Sequence, residues 1–83
     1  MPPEEIRNYL RNRPFVPFRI RLSDGRVFDI RNQELVMVGR RIVVIGIPEA
    51  GDTESLPLLE SSLTVSLLHV VSIEPIPAPA QAG

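Results

Sequence analysis

The chain has 83 residues, 43% of them hydrophobic, with no cysteine, a single histidine and a net charge of −1. A chain this short forms one domain and buries only about 60% of the surface it exposes when unfolded, so its own core is small. The lack of cysteine excludes disulfides and thiolate chemistry, and His69 has no carboxylate cluster beside it that would complete a set of metal ligands.

The small net charge hides an asymmetry. Residues 1–41 hold all nine basic residues, every one an arginine, and carry +4, whereas residues 42–83 carry −5. Such a dipolar chain either solvates each half separately, presents an anion-binding surface, or pairs its halves between subunits. Arginine supplies planar forks suited to phosphates and carboxylates. The opening Met-Pro-Pro-Glu-Glu lacks the basic and apolar regions of a signal peptide, and the longest apolar stretch, residues 42–47, is far below the ~20 residues that span a bilayer. The expectation is a soluble cytoplasmic protein with no membrane contact and no small-molecule cofactor.

In chain order, Pro3 suits a first helical position, Glu4 and Glu5 its positive end, and Arg11 and Arg13 its negative end, before Pro14 stops the helix. Ile6, Tyr9 and Leu10 form one apolar stripe, which places this helix on a sheet with Arg7 and Arg11 toward solvent. Residues 16–31 then read as a hairpin around Asp24-Gly25. A two-residue turn there would put Phe28 and Ile30 on the same face as Arg19 and Arg21. A three-residue Ser23-Asp24-Gly25 loop, with Gly25 in the left-handed region, instead gathers Phe18, Ile20, Leu22, Phe28 and Ile30 on one face and sets Arg19 opposite Asp29. The second register is the expected one.

Asn32-Gln33-Glu34 interrupts the apolar pattern and reads as a bend within one long strand. Residues 35–38 and 41–47 flank Gly39-Arg40, where glycine in first place suggests a II′ turn. This ribbon is apolar on both sides, as expected of strands covered on both faces, with a barrel interior on one side and a neighbouring subunit or the helix on the other. Residues 48–60 form a polar, acidic, exposed loop. Residues 63–67 alternate as a half-buried strand, Leu68-His69-Val70 makes a tight corner, and residues 71–74 form a closing strand. The domain thus spans 1–75, and residues 76–83 read as a flexible Pro/Ala tail. A helix followed by five strands, the second long and bent, is either a partly open small barrel or a sandwich.

Three stretches resemble the Sm-like family and, within it, its bacterial RNA-chaperone (Hfq-type) branch. VPFRIRLSDG, residues 16–25, is similar to the family's first strand and turn, V-P-x-x-I-x-L-x-[N/D]-G; NYLRNR, residues 8–13, to the Arg-ended helix before it; and HVVS, residues 69–72, to the H-A-I-S corner into the last strand. The chain also resembles a group of short bacterial proteins with a PFxPFRIxLxDGRxF pattern, which implies no activity. The Sm-like resemblance implies a strongly bent five-stranded antiparallel sheet, a small open barrel, that closes into a homo-oligomeric ring by edge pairing of the last two strands. Leu63, Val65, Leu67, Val71 and Ile73 would then form the subunit interface. It further implies single-stranded RNA near the pore at Gly39, Arg40, Arg41 and His69, and on the rim at Arg11 and Arg13. Leu67 and Leu68 stand where that branch carries a Tyr-Lys pair, so base stacking is absent there and binding would rest on arginine and phosphate charge. No nucleophile and base share a recognisable motif, so no catalytic residue and no enzymatic activity are expected. The alternative is a protein-interaction or structural module that uses the same small barrel without RNA.

Overall fold

The computed structural model describes residues 1–52, 54 and 56–76. Helix α1 spans Pro3–Arg11, with Pro3 at its start, Glu4 and Glu5 in the first turn and Arg11 in the last. It is followed by β1 (Phe18–Leu22), β2 (Val27–Ile30), β3 (Val36–Val38), β4 (Ile42–Pro48), β5 (Leu59–Ser66) and β6 (Val70–Pro75). All pairings are antiparallel and give two three-stranded sheets, ordered β2-β1-β6 and β3-β4-β5. The sheets face each other across one core and do not close into a barrel.

The first hairpin has the bulged register. Phe18 pairs with Ile30, Arg19 with Asp29 and Ile20 with Phe28. The loop is closed by Leu22 N–H to Arg26 C=O (2.9 Å) and Gly25 N–H to Leu22 C=O (3.0 Å), with Gly25 at φ +92°. Phe18, Ile20, Leu22 and Ile30 consequently join one buried cluster with Val36, Val43, Ile45, Val65, Leu67 and Val70.

Six strands form rather than five because the bend at Asn32 is sharper than a continuous strand allows. The Asn32 side chain accepts the Glu34 N–H at 2.9 Å, and Leu35 N–H bonds to Asn32 C=O at 3.1 Å. These local bonds replace the ladder with a 3₁₀ turn over Gln33–Leu35, which splits the expected long strand into β2 and β3.

The second hairpin also departs from expectation. Gly39 pairs across to Ile42, its N–H donating to Ile42 C=O at 2.7 Å, so the two-residue tip is Arg40-Arg41. Gly39 has no positive φ, which rules out a II′ turn beginning there. A β-carbon on Gly39 would lie 3.1 Å from Ile42 Cγ1, so the glycine serves close cross-strand packing instead.

The helix lies inside the angle of the sheets rather than over the outer face of the ribbon. Ile6 is fully buried in the common core, and Tyr9 and Phe15 pack their rings 5.1 and 6.1 Å from Phe18. The outer face of β3 and β4 stays open, with Met37 68% exposed and Ile42 exposed beside it. Beyond Pro48 the chain is held by Glu49 N–H to Leu58 C=O (2.9 Å) and by the Asp52 carboxylate, which accepts from Glu54 and Leu58 N–H. Ile76 still bonds through its N–H to Pro17 C=O at 3.0 Å, so the first residue of the expected tail is tied to the segment just before β1. Residues 77–83, the rest of that tail, lie outside the described residues. No helix among the described residues is long and apolar enough to cross a membrane.

Candidate functional site

Both strand arginines, Arg19 and Arg21, are paired within the chain, as are Arg7 of the helix and Arg26 of the first turn. Arg19 grips Asp29 at 2.8 and 3.3 Å, Arg21 meets Glu74 at 2.8 Å, Arg26 meets Asp24 at 2.7 Å, and Arg7 meets Glu4 at 2.6 Å. Arg31 lies 3.6 Å from Asp29. The Arg19 hydrogen bond, aided by the charges of Arg19 and Arg31, holds the Asp29 carboxyl below the usual carboxylate range, and the same bond raises the Arg19 guanidinium above its ordinary value. Asp24 is lowered as well, first by accepting the Arg26 backbone N–H. The Arg19 and Arg21 face is thus a lattice of surface ion pairs.

Arg40 and Arg41 differ. Both are exposed at the β3–β4 tip, and neither has an ion-pair partner among the described residues. Leu67 N–H donates to Arg41 C=O at 2.9 Å, which ties the tip to the 3₁₀ corner Leu67–His69. His69 is exposed two residues further on, its Nδ1 3.2 Å from Ser23 Oγ while Ser23 N–H donates to His69 C=O at 2.8 Å. The tip, the corner and the β1–β2 turn therefore share one end of the molecule. A groove of about 310 Å³ between the turn and β5 is lined by the polar Ser23, Asp24, Arg26, Thr64, Ser66 and His69 and by the apolar Leu22 and Val65.

Arg11 and Arg13 do not join this group. They lie at the C-terminal end of α1, at the other end of β3, where Arg13, just past the helix, has its Nη1 2.9 Å from Gln33 Oε1 and 2.8 Å from Asn12 C=O, in a bracing role, while Arg11, in the last turn, is exposed. The expected interface residues also divide. Val65 and Leu67 are buried in the chain's own core, Leu63 and Ile73 pack against it, and Val71 is 63% exposed. What β5 and β6 can offer a neighbour is chiefly backbone, because among the described residues each has a strand partner on one side only.

Two features lay beyond sequence reasoning. Ser23 and His69 are 46 residues apart, and only the packing of the turn on the corner joins them. No group among the described residues bonds His69 Nε2 to orient the ring, so the pair works as a latch between loops rather than as a nucleophile with its base. The other feature is a cleft of about 610 Å³ at the bend end, between β2 and the far half of β4. No group of three or more metal-ligating side chains occurs among the described residues. No protein-family model, curated protein or solved structure matches the chain.

Proposed function

We propose that the chain is a subunit of an Sm-like ring that holds single-stranded RNA by its phosphates, with Arg40 and Arg41 as the main contacts, His69 beside them, and Arg11 with Arg13 on the rim. The observation that carries this reading is the pair of consecutive exposed arginines at the hairpin tip, without ion-pair partners among the described residues while the strand arginines are neutralised. Guanidinium forks match phosphate geometry. In support of the ring, the order β6-β1-β2, continued through the Asn32 bend into β3-β4-β5, leaves β5 and β6 as the outer strands, the two edges such an assembly would pair.

The aromatic rings are engaged in packing, so affinity would be electrostatic and tolerant of sequence. Fluorescence anisotropy of a labelled U-rich oligonucleotide tests this between 50 and 200 mM salt. Replacing Arg40 and Arg41 together by alanine is expected to weaken binding to all sequences alike and to flatten the log–log salt slope by about 1.4, two phosphate contacts' worth for single strands. An unchanged slope, or no binding by the parent protein at the lowest salt, refutes RNA contact. A second reading is favoured by Leu68, 88% exposed at the corner where a basic residue would serve RNA: a non-enzymatic protein-interaction module of the same architecture. A native mass unaffected by nuclease, from protein free of nucleic acid, selects it.

A further inference from the structure

The cleft at the bend end is lined by three consecutive residues of β2, Phe28 to Ile30, by Arg31 just past the strand's end, and by four of β4, Ile45 to Pro48. A cavity lying on the face of a strand would touch alternate residues; contact with the consecutive Phe28, Asp29 and Ile30 is what a cavity along the edge of β2 gives. Among the described residues that edge of β2 is unpaired, because β2 has only β1 as a neighbour. The Leu22–Arg26 bond fixes which backbone groups face outward. Since Leu22 with Arg26, Ile20 with Phe28 and Phe18 with Ile30 are the bonded pairs, the N–H and C=O groups of Val27 and Asp29, and of Arg31 beyond them, point away from β1. The Arg19 fork draws the Asp29 side chain back across β1, which leaves this edge uncovered. The floor is apolar, with Phe28, Ile30, Ile45 and Ile47, and besides the Arg19-held Asp29 the lining carries two carboxylates, Asp52 and Glu54, against one guanidinium, Arg31.

We infer that this cleft accepts an extended peptide strand of a partner protein, added antiparallel or parallel to the free edge of β2, with aliphatic side chains directed into the floor and lysine or arginine directed toward Asp52 and Glu54. Backbone pairing supplies the docking, and the alternation of the strand supplies selectivity. The volume lies within the range of ligand-sized pockets. The excess of carboxylates disfavours nucleic acid here. The site is at the opposite end of the molecule from Arg40, Arg41 and His69 and uses neither the β5 nor the β6 edge, so it stands or falls apart from RNA binding and ring formation.

Amide hydrogen exchange of the ¹⁵N-labelled full chain, read by NMR, tests it with a blocked nonapeptide of alternating lysine and valine as probe. Saturating peptide is expected to slow exchange at Val27, Asp29 and Arg31 by roughly tenfold or more. The matching glutamate–valine peptide is expected not to bind, and Glu54→Lys is expected to weaken the lysine peptide severalfold. Protection falling instead on Ser62, Thr64 or Ile73, or no protection at about 1 mM peptide, the weak limit of specific association, overturns the inference. So does finding Val27, Asp29 and Arg31 already protected in an oligomer of the chain alone, which would make a second copy the occupant.

Discussion

Gly25 and Asn32 each decide a direction of the backbone. At φ +92° an L side chain pays about 1–2 kcal/mol, so Gly25→Ala is expected to lose that much in urea denaturation although nothing crowds the position sterically. Its place after Asp24 made the bulged turn legible in the sequence, because only that register collects the apolar side chains on one face. Asn32 was legible as an interruption but not as a cap, since its bond to Glu34 N–H depends on the local dihedral angles. Asp24 and Asp29 set the acid response. Both carboxyls lie below their unfolded value near 4, so the stability they contribute is present above about pH 4 and is lost as pH falls through their lower folded values. Thermal melts from pH 7 to pH 2 are expected to show Asp29→Asn converging on the parent at the acid end; a constant gap at every pH would show that the pair with Arg19 is not responsible.

Among the elements, α1 was the most readable, because Pro3, the two glutamates and the stripe of Ile6, Tyr9 and Leu10 agree on its start, its polarity and its buried face. Its destination was not readable. An amphipathic stripe specifies that a face is covered, not which of two sheet faces covers it, and α1 fills the interior angle while Met37 and Ile42 remain exposed. Ile6→Ala is therefore expected to cost about 2–5 kcal/mol, a full core truncation, with the loss measured by chemical denaturation. A loss below about 1 kcal/mol would place the helix on the periphery instead. The second hairpin shows the limit of turn rules. Gly39 satisfied the pattern of a II′ turn, yet the strands pair two residues further on, because sliding them there buries Val36, Val43 and Ile45 together and lets Gly39 pass under Ile42.

For the whole molecule the governing fact is the number of unpaired strand edges. β2 and β6 bound one sheet, β3 and β5 the other, and α1 packs against β3 as well as against Phe18 of β1. The Leu67–Arg41 bond places Val65 and Leu63 in bonded pairs with β4, so the N–H of Thr64 points outward. Thr64→Pro consequently removes no bond within the sheet while blocking any strand that would add to β5. If copies assemble through that edge, native mass is expected to fall to that of a single chain with the circular dichroism spectrum retained; an unchanged oligomer would exclude β5 as the seam.

The amino-acid sequence by itself determined the helix, the first hairpin with its register and faces, and the corner at His69, because each is written in contacts a few residues apart and in alternation with a known period; the acidic connection expected over 48–60 is shorter, since Pro48 ends β4 and pairing with β4 draws Leu59 and Glu60 into β5. Only the tertiary structure decided that the bend divides the sheet in two, that Arg40 and Arg41 stand unpaired among the described residues while the strand arginines are neutralised, and that Ser23 meets His69. It also decided that a cleft opens along β2. These depend on which distant segments share space, and charge or hydropathy along a chain does not record distance through it.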